Sequence, residues 1–209
     1  TNGLYARLNT FDINSGNLLS QFIIDSTGAF IDSEGMSSID TANNLIYTTF
    51  DNGDSNLIVS INLSNGTVNS VLNSNQNSNG NIVFLEYNNN KIYYLVDDQS
   101  NGLNAVFNVF DLNSGSLLSQ SIIDSMGGYI DSRGISAFDA ANNIIYTVKE
   151  DSWQNDETNI VAIDVNNGST SLVDHVSKFS NMRSMEYFNN RLYFIYDNDI
   201  GNNNSLFSI

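Results

Sequence analysis

Short apolar runs alternate with polar turns along the whole chain. Residues 57–63 (LIVSINL) and 160–165 (IVAIDV) show the alternation of apolar and polar positions that is typical of β-strands. No segment shows the 3.6-residue period of an amphipathic helix. The pattern therefore predicts an all-β chain built from short strands.

Two kinds of turn signal separate the predicted strands. The first is rich in Asn, a residue that tolerates the positive φ of tight hairpin turns. It occurs at Asn43-Asn44, Asn88-Asn89-Asn90, Asn142-Asn143 and Asn189-Asn190. The second closes on Gly, at Ser15-Gly16, Asn65-Gly66, Ser114-Gly115 and Asn167-Gly168. These signals predict a β-hairpin at each site.

The sequence also repeats itself. Residues 11–21 (FDINSGNLLSQ) and 110–120 (FDLNSGSLLSQ) differ at two positions, and residues 2–49 align without a gap to residues 101–148. Each repeat of about 100 residues divides again, because an acidic residue precedes a tyrosine at a fixed spacing in each half. These pairs are Asp40 and Tyr47, Glu86 and Tyr93, Asp139 and Tyr146, and Glu186 and Tyr193. Such repeats indicate structural units that stack on copies of themselves.

Each unit of about 50 residues contains two hairpins and therefore four antiparallel strands. Four such strands form the blade of a β-propeller. We therefore predict a single β-propeller domain over residues 1–209. It has four blades of four antiparallel strands in two repeats, or it is a four-blade segment of a larger propeller.

The repeat also resembles known families. The pattern D-x-x-x-N-x-x-Y, followed by a strand that ends in D-x-x-x-G, is similar to the repeats of β-propeller proteins of the WD40-like, YVTN and quinoprotein type. This resemblance covers essentially the whole chain and implies the propeller fold. The Trp-bearing motifs of quinoprotein blades and the GH and WD dipeptides of WD40 repeats are absent. The resemblance therefore implies no cofactor and no signalling role.

One predicted strand is in surplus. If strand positions are lettered a to d from the propeller axis outward, residues 4–24 form a c–d hairpin and residues 182–196 form an a–b hairpin. Three complete blades lie between them. The first hairpin can complete the last blade and so close the ring. A second c strand then remains, formed by Ser205, Leu206, Phe207, Ser208 and Ile209.

This surplus strand must pair, because unpaired backbone amides and exposed apolar side chains are costly. It can displace the N-terminal copy, pair with a neighbouring molecule, or belong to a longer array of blades. We expect residues 4–13 to hold the slot, because a two-residue turn tethers them to the adjacent strand. The C-terminal strand would then add to an edge of a second molecule and join subunits head to tail.

Composition narrows the functional classes. The net charge of −16 repels phosphate backbones and anionic lipids, so we expect no nucleic-acid partner and no membrane insertion. The chain has no Cys, which excludes disulfides, zinc-thiolate sites and thiol catalysis. A Cys-free, acidic surface rich in Asn and Ser favours an extracellular or cell-surface location.

Acidic residues concentrate on one predicted face. The d–a and b–c loops share a face of a propeller, and they carry most of the 23 acidic residues. The candidate metal ligands are Asp25, Asp32, Asp124 and Asp131, and the candidate ligand-binding residues are Trp153, Asp151, Asp156, Asp51, Asp54, Asp97 and Asp98. Clustered carboxylates need a cation or solvent between them. The face therefore either binds Ca²⁺ weakly or is a solvated rim that maintains solubility.

Trp153 has two interpretations. An exposed Trp on a polar loop stacks on a sugar or anchors a partner, whereas a Trp that folds back covers the blade edge. His175 is the only histidine, which excludes a cluster of histidine ligands and favours a structural or surface role.

The residues repeated at the hairpins have structural interpretations. We expect the four repeated tyrosines to pack between blades, not to form a binding platform. The four acidic residues that precede them cap the hairpins or form a carboxylate ring around the axis. Three further carboxylates precede the turn glycines and are expected to accept turn amides, with a calcium loop as the alternative. They are Asp12, Asp111 and Asp164.

From these features we expect a non-enzymatic, extracellular propeller that serves in assembly or adhesion. Its partner would be a second copy of itself or another protein. One alternative is a lectin-like propeller that binds carbohydrate or calcium. The other is a hydrolase or lyase of the propeller class.

Overall fold

The structure is a computed structural model of the chain, and it describes residues 5–25, 30–31, 36–51, 56–73, 81–98, 104–123, 128–130, 135–151, 158–176, 180–198 and 203–209. Every regular element in these ranges is a β-strand. The strands are β1 (Tyr5–Phe11), β2 (Leu18–Asp25), β3 (Phe30–Ile31), β4 (Ser37–Asp40), β5 (Leu45–Asp51), β6 (Asn56–Asn62), β7 (Val68–Asn73), β8 (Asn81–Asn88), β9 (Lys91–Asp98), β10 (Asn104–Asp111), β11 (Ser116–Ile123), β12 (Gly128–Ile130), β13 (Ser136–Asp139), β14 (Ile144–Asp151), β15 (Thr158–Asp164), β16 (Thr170–Val176), β17 (Ser180–Phe188), β18 (Arg191–Asn198) and β19 (Asn203–Ser208).

These strands form five antiparallel sheets, numbered here in chain order. The third sheet has four strands in the order β8-β9-β10-β11. The second and fourth sheets have the same four positions, but position a is divided into β3 and β4 beside β5, and into β12 and β13 beside β14. The first sheet holds only β1 and β2, and the fifth holds β17, β18 and β19. The predicted all-β architecture of four-stranded antiparallel sheets is confirmed.

Asn and Gly supply the backbone conformations of the turns, as predicted. The inner hairpins turn on asparagines with φ between 50° and 59°, and the outer hairpins turn on Gly16, Gly66, Gly115 and Gly168 with φ between 63° and 72°. Positive φ is costly for most side chains, so these residue types decide where each strand ends.

Carboxylates cap the turns. Asp139 Oδ1 accepts hydrogen bonds from the Ala141 and Asn142 amides at 3.1 and 3.2 Å, and Asn142 Nδ2 donates to Oδ2 at 2.7 Å. Asp40 makes the equivalent three bonds in the second sheet. These hydrogen bonds to the turn amides confirm the predicted capping role for the two residues. Both carboxylates are buried, where an unpaired charge would be costly.

The carboxylates before the turn glycines act in the same way. Asp12 Oδ1 accepts from the Asn14 and Ser15 amides at 2.9 and 2.7 Å, and Asp111 repeats this pattern on the amides of residues 113 and 114. Asp164 accepts from the Asn166 amide at 2.8 Å. The turn interpretation is therefore confirmed for all three residues.

The chain divides into two compact units, residues 1–78 and 79–209. In the first unit the β1–β2 hairpin packs on the second sheet. Ile24 of the hairpin meets Phe50, Val59 and Ile61 of the sheet, with Leu8 beside them.

Two apolar layers join the sheets of the second unit. Between the third and fourth sheets, the core includes Leu95, Phe107, Ile145 and Ile163, and the Tyr93 and Phe138 rings lie 5.2 Å apart. Between the fourth and fifth sheets, the core is formed by Ile135, Ala137, Val148, Ile160, Met182, Met185, Leu192 and Phe194. The expected packing of Tyr93 between adjacent sheets is confirmed.

The outer turns also take part in this packing. A Cβ at Gly66 would lie 2.6 Å from Phe22 Cβ, on the outermost strand of the preceding sheet. A Cβ at Gly168 would lie 2.8 Å from Ser121 Cβ, again on the outermost strand of the preceding sheet. Each of these glycines therefore allows a close approach between two sheets as well as a positive φ.

The expectation that the N-terminal copy takes position c of the last sheet is wrong. Strand β19 pairs with β18, with Ser208 opposite Tyr193 and Leu206 opposite Ile195. The Leu192 and Ile209 backbones also exchange hydrogen bonds of 3.0 and 3.1 Å. The segment between β18 and β19 covers only residues 199–202, so closing this hairpin costs little chain entropy, whereas pairing with residues 4–13 closes a loop of most of the chain.

We predict that Gly168→Ala destabilises the protein more than Gly115→Ala. Both glycines have positive φ, so both variants carry the same backbone strain. Only at residue 168 does the new methyl group meet another side chain within 4 Å. The difference in the free energy of unfolding should be roughly 1–3 kcal/mol, measured by urea denaturation. Equal losses would show that the turn of residues 164–168 does not pack as described.

We predict that Asp139→Ala loses about 1–3 kcal/mol of stability at neutral pH, because the cap accepts three hydrogen bonds in a buried place. Burial raises the pKa of Asp139, but hydrogen bonds from Asn142, Tyr187 and the turn amides outweigh it and lower the pKa below 3.8.

The contribution of Asp139 should therefore be full above pH 3.8 and disappear as the pH falls through the lower, folded-state pKa. Unfolding curves of the parent and Asp139→Ala should converge in acid. Asp111→Ala is the control, because water can replace its exposed turn cap. An undiminished difference in acid would contradict the capping role.

Candidate functional site

The side chains of all eleven residues predicted to bind a ligand or calcium lie outside what the structure describes. Asp32, Asp54, Asp124, Asp131, Trp153 and Asp156 lie outside the described residues. The backbone alone is described for Asp25, Asp51, Asp97, Asp98 and Asp151. Asp51, Asp98 and Asp151 end the position-b strands of three sheets, where the b–c loops begin. The calcium and ligand roles of these residues stay predictions.

The described side chains contain no group of three or more His, Asp or Glu residues that could hold a metal ion. Within the same ranges, no helix is long and apolar enough to cross a membrane. His175 lies on the exposed strand β16, and its Nδ1 contacts Asn159 Oδ1. This is the surface and structural role expected from the sequence.

A groove of about 340 Å³ lies between the fourth and fifth sheets. Its lining comes from β14, β16, β17, β18, the turn between β17 and β18, and the chain after β19. The lining residues are Tyr146, Val173, Asp174, Tyr187, Asn190, Leu192 and Ile209.

Two tyrosines form the floor of this groove. The Tyr146 and Tyr187 rings stack with centroids 5.7 Å apart and planes at 21°. The Tyr187 hydroxyl donates to Asn190 Oδ1 at 3.0 Å. The Asp139 carboxylate is a second acceptor for the same hydroxyl hydrogen, which can serve only one acceptor at a time.

Both tyrosines keep their protons at physiological pH. A hydrogen bond to the Asp139 carboxylate raises the pKa of Tyr187, and burial raises the pKa of Tyr146. The charge in the lining comes from Asp174, whose Oδ1 accepts the His175 amide at 2.8 Å. The groove therefore offers aromatic faces, neutral hydroxyls and one carboxylate. This set suits an uncharged group and disfavours an anion.

The sequence pattern did not predict this groove, although it predicted that Tyr146 packs between blades and that Ile209 belongs to the surplus strand. One usable signal was present, because Tyr87 and Asn90 repeat the spacing of Tyr187 and Asn190. The Tyr87 hydroxyl donates to Asn90 Oδ1 at 3.3 Å. Asp174 carried no comparable signal, because its strand belongs to a different sheet.

Asp174 is equivalent to the two residues on which outer turns pack in other sheets. It pairs with Ile160, which precedes Gly168 by eight residues. Ser121 and Phe22 lie opposite the residues eight positions before their own turn glycines. These two residues are the ones on which Gly168 and Gly66 pack. We therefore call the groove beside Asp174 the turn seat.

The first sheet exposes apolar residues that other sheets bury. Phe11 is 59% exposed, whereas Ile163, which also precedes its turn glycine by five residues, is 0% exposed. Ile61 and Phe110 hold the same position and are buried as well. Ile13, three residues before Gly16, is 95% exposed, and its counterpart Val165 is buried. No atom lies within 4 Å of a Cβ placed on Gly16.

The fifth sheet exposes its opposite face. Ile195 follows the last asparagine of its turn by five residues and is 38% exposed. Leu95 and Val148 hold the same position in the third and fourth sheets, where their exposures are 1% and 0% because they pack against the next sheet. The first and fifth sheets thus each present one face that is a sheet-to-sheet interface elsewhere in the chain.

No family model matches the chain, and no curated protein matches it. Many solved structures are similar. The β-propeller domain of the Trilobed protease from Pyrococcus furiosus matches with a TM-score of 0.54 and 10% identity, over 98% of this chain and 72% of that one. A chain of a nidogen/laminin complex matches with a TM-score of 0.57 and 9% identity, over 97% and 91%.

TolB from Acinetobacter baumannii matches with a TM-score of 0.55 and 14% identity, over 95% of this chain and 47% of that one. Chains of acylaminoacyl and prolyl peptidases are also among the similar structures. At these identities the likeness concerns the fold. Together with the repeated four-stranded sheets, it establishes the chain as a β-propeller repeat protein.

Proposed function

We propose that this propeller is a non-catalytic, extracellular assembly module that binds further copies of itself. The observation that carries the proposal is the exposure of Phe11, Ile13 and Ile195 at positions whose counterparts in other blades are buried or half-buried. Burying one such side chain contributes roughly 1.5–3 kcal/mol. Phe11 and Ile13 are close together on the first hairpin, and exposed apolar patches mark protein interaction surfaces.

Self-association is the form of assembly that these faces favour. In other blades, the residues equivalent to those on each exposed face pack against a neighbouring blade of the same chain. Among the described residues, the first sheet holds only two strands and the fifth holds only three. A surface that needs a blade as its cover is best matched by another blade of this protein.

A binding role agrees with the chemistry of the chain. Cysteine is absent, and the only histidine contacts Asn159 on an exposed strand. The similar structures include a propeller in the nidogen/laminin complex, which supports a role in protein contact, and peptidase propellers, which support the enzymatic alternative. The net charge of −16 suits an extracellular protein and predicts that added salt strengthens self-association, because it screens repulsion between copies.

We predict that the chain forms oligomers in a concentration-dependent manner and that Phe11→Ser combined with Ile13→Ser weakens them at least about tenfold. The estimate corresponds to losing about 1.4 kcal/mol or more of apolar burial. Sedimentation velocity at several concentrations and salt levels would measure the dissociation constant.

Leu118→Ser is the matched control, because Leu118 is an exposed apolar residue on the outer strand of the third sheet. It should leave the dissociation constant unchanged. A chain that stays monomeric at high concentration and high salt would overturn the proposed function. Equal weakening by the control would show that the two end faces are not the interface.

A further inference from the structure

Two strands of this chain are suited to the same slot beside β18. In the third sheet, Val109 pairs with Tyr93 and precedes Gly115 by six residues. In the fifth sheet, Ser208 of β19 holds that place opposite Tyr193. Thr10 of β1 precedes Gly16 by six residues. Strand β1 therefore has the register to pair with β18 in place of β19, with Thr10 opposite Tyr193.

The first hairpin brings features that β19 does not have in the described structure. It carries a second strand, β2, that pairs with β1 over its whole length. It also carries a complete outer turn, in which Asp12 accepts the amides of residues 14 and 15. At the fifth sheet this turn would bring Gly16 to the turn seat beside Asp174, as Gly168 lies on Ser121.

We propose that the first hairpin of a second copy of the chain displaces β19 and docks beside β18, with its outer turn in the turn seat. This hairpin exchange rests on the proposed function, because it names the contact through which the copies associate. The lost pairing of β19 with β18 is replaced residue for residue by pairing of β1 with β18.

The exchange covers both exposed faces at once. Phe11 and Ile13 would meet the fourth blade, as Ile163 and Val165 meet the third. In the same register Leu8 would lie opposite Ile195, because Leu206 does so now. Leu8 already packs against the second sheet of its own chain. That sheet would therefore extend over Ile195 and bury it.

The experiment uses the absence of native cysteines to control β19. In the variant Tyr193→Cys/Ser208→Cys, oxidation joins two directly opposed strand residues and locks β19 in its slot. The exchange predicts that the oxidised variant remains monomeric at concentrations at which the parent associates, and that reduction restores association. Sedimentation velocity with and without reductant measures both states.

A second variant, Thr10→Cys/Tyr193→Cys, traps the exchanged pair. On oxidation it should yield covalent dimers and longer oligomers on a non-reducing gel. The single variants Thr10→Cys and Tyr193→Cys are the controls, and they should give less of this product. Bridged monomers would show that the hairpin is taken up within one chain, and an absence of bridges would show that β1 does not reach β18. Either result would overturn the proposal.

Deletion of residues 203–209 supplies an independent test. In the parent, only the fraction of chains in which β19 has left the slot can bind. Removing the competing strand makes every chain competent, so the dissociation constant should fall at least about tenfold. If copies instead joined by strand addition at the open edge of β19, the deletion would abolish association. If the oxidised, locked chain still associates like the parent, hairpin exchange is wrong while self-association stands. Failure of the parent itself to associate would instead refute the proposed function.

Discussion

The burial of sheet faces is the constraint on which this structure depends. A four-stranded antiparallel sheet has two faces, and in this chain both carry apolar side chains, so each face gains stability when it packs against another sheet. Within the second unit, Leu95 and Ile163 seal one such contact, and Val148 and Phe194 seal the next. The same rule makes the uncovered faces of the first and fifth sheets the most informative surfaces of the molecule. The exposed residues on these faces hold positions that are buried or half-buried in other sheets, so another blade of this chain would be a suitable cover.

The residue types at the turns determine where each strand ends and how closely adjacent sheets pack. Asparagines with positive φ end the inner strands, and buried Asp40 and Asp139 bind the amides of the inner turns in the second and fourth sheets. Glycine has a second function at the outer turns. Because a Cβ at Gly66 or Gly168 would collide with the neighbouring sheet, glycine permits a separation that no other residue allows. At Gly66 and Gly168 the outer turn therefore forms a hairpin and also part of the contact between blades, whereas Gly16 and Gly115 have no neighbour within 4 Å of an added Cβ.

The sequence sufficed for the strands, the turns and the fold class, because period-two patterning and positive-φ residues act locally and recur in each repeat. It did not suffice for the strand beside β18. Residues 4–13 and 204–209 carry nearly the same pattern, so patterning cannot rank them, and the outcome depends on loop length and on where each copy is tethered. The groove was also missed, because Asp174 meets Tyr187 and Ile209 only after the fourth and fifth sheets pack. The acidic loops, which sequence patterning brought to one face, lie largely outside the described residues, and their calcium role stays a prediction.

Repetition gives a physical basis for the proposed self-association. When successive blades are nearly identical, the interface between two blades of one chain and the interface between blades of two chains use the same side chains. Specificity for a second copy then needs no dedicated site. It needs only that one hairpin and one slot remain without their usual partners while the interior blades satisfy each other. Position c of the fifth sheet meets this condition, because the strand that fills it now brings no outer turn to the seat beside Asp174 within the described residues. In the proposed exchange, the register of this slot selects the hairpin whose outer turn fits the seat.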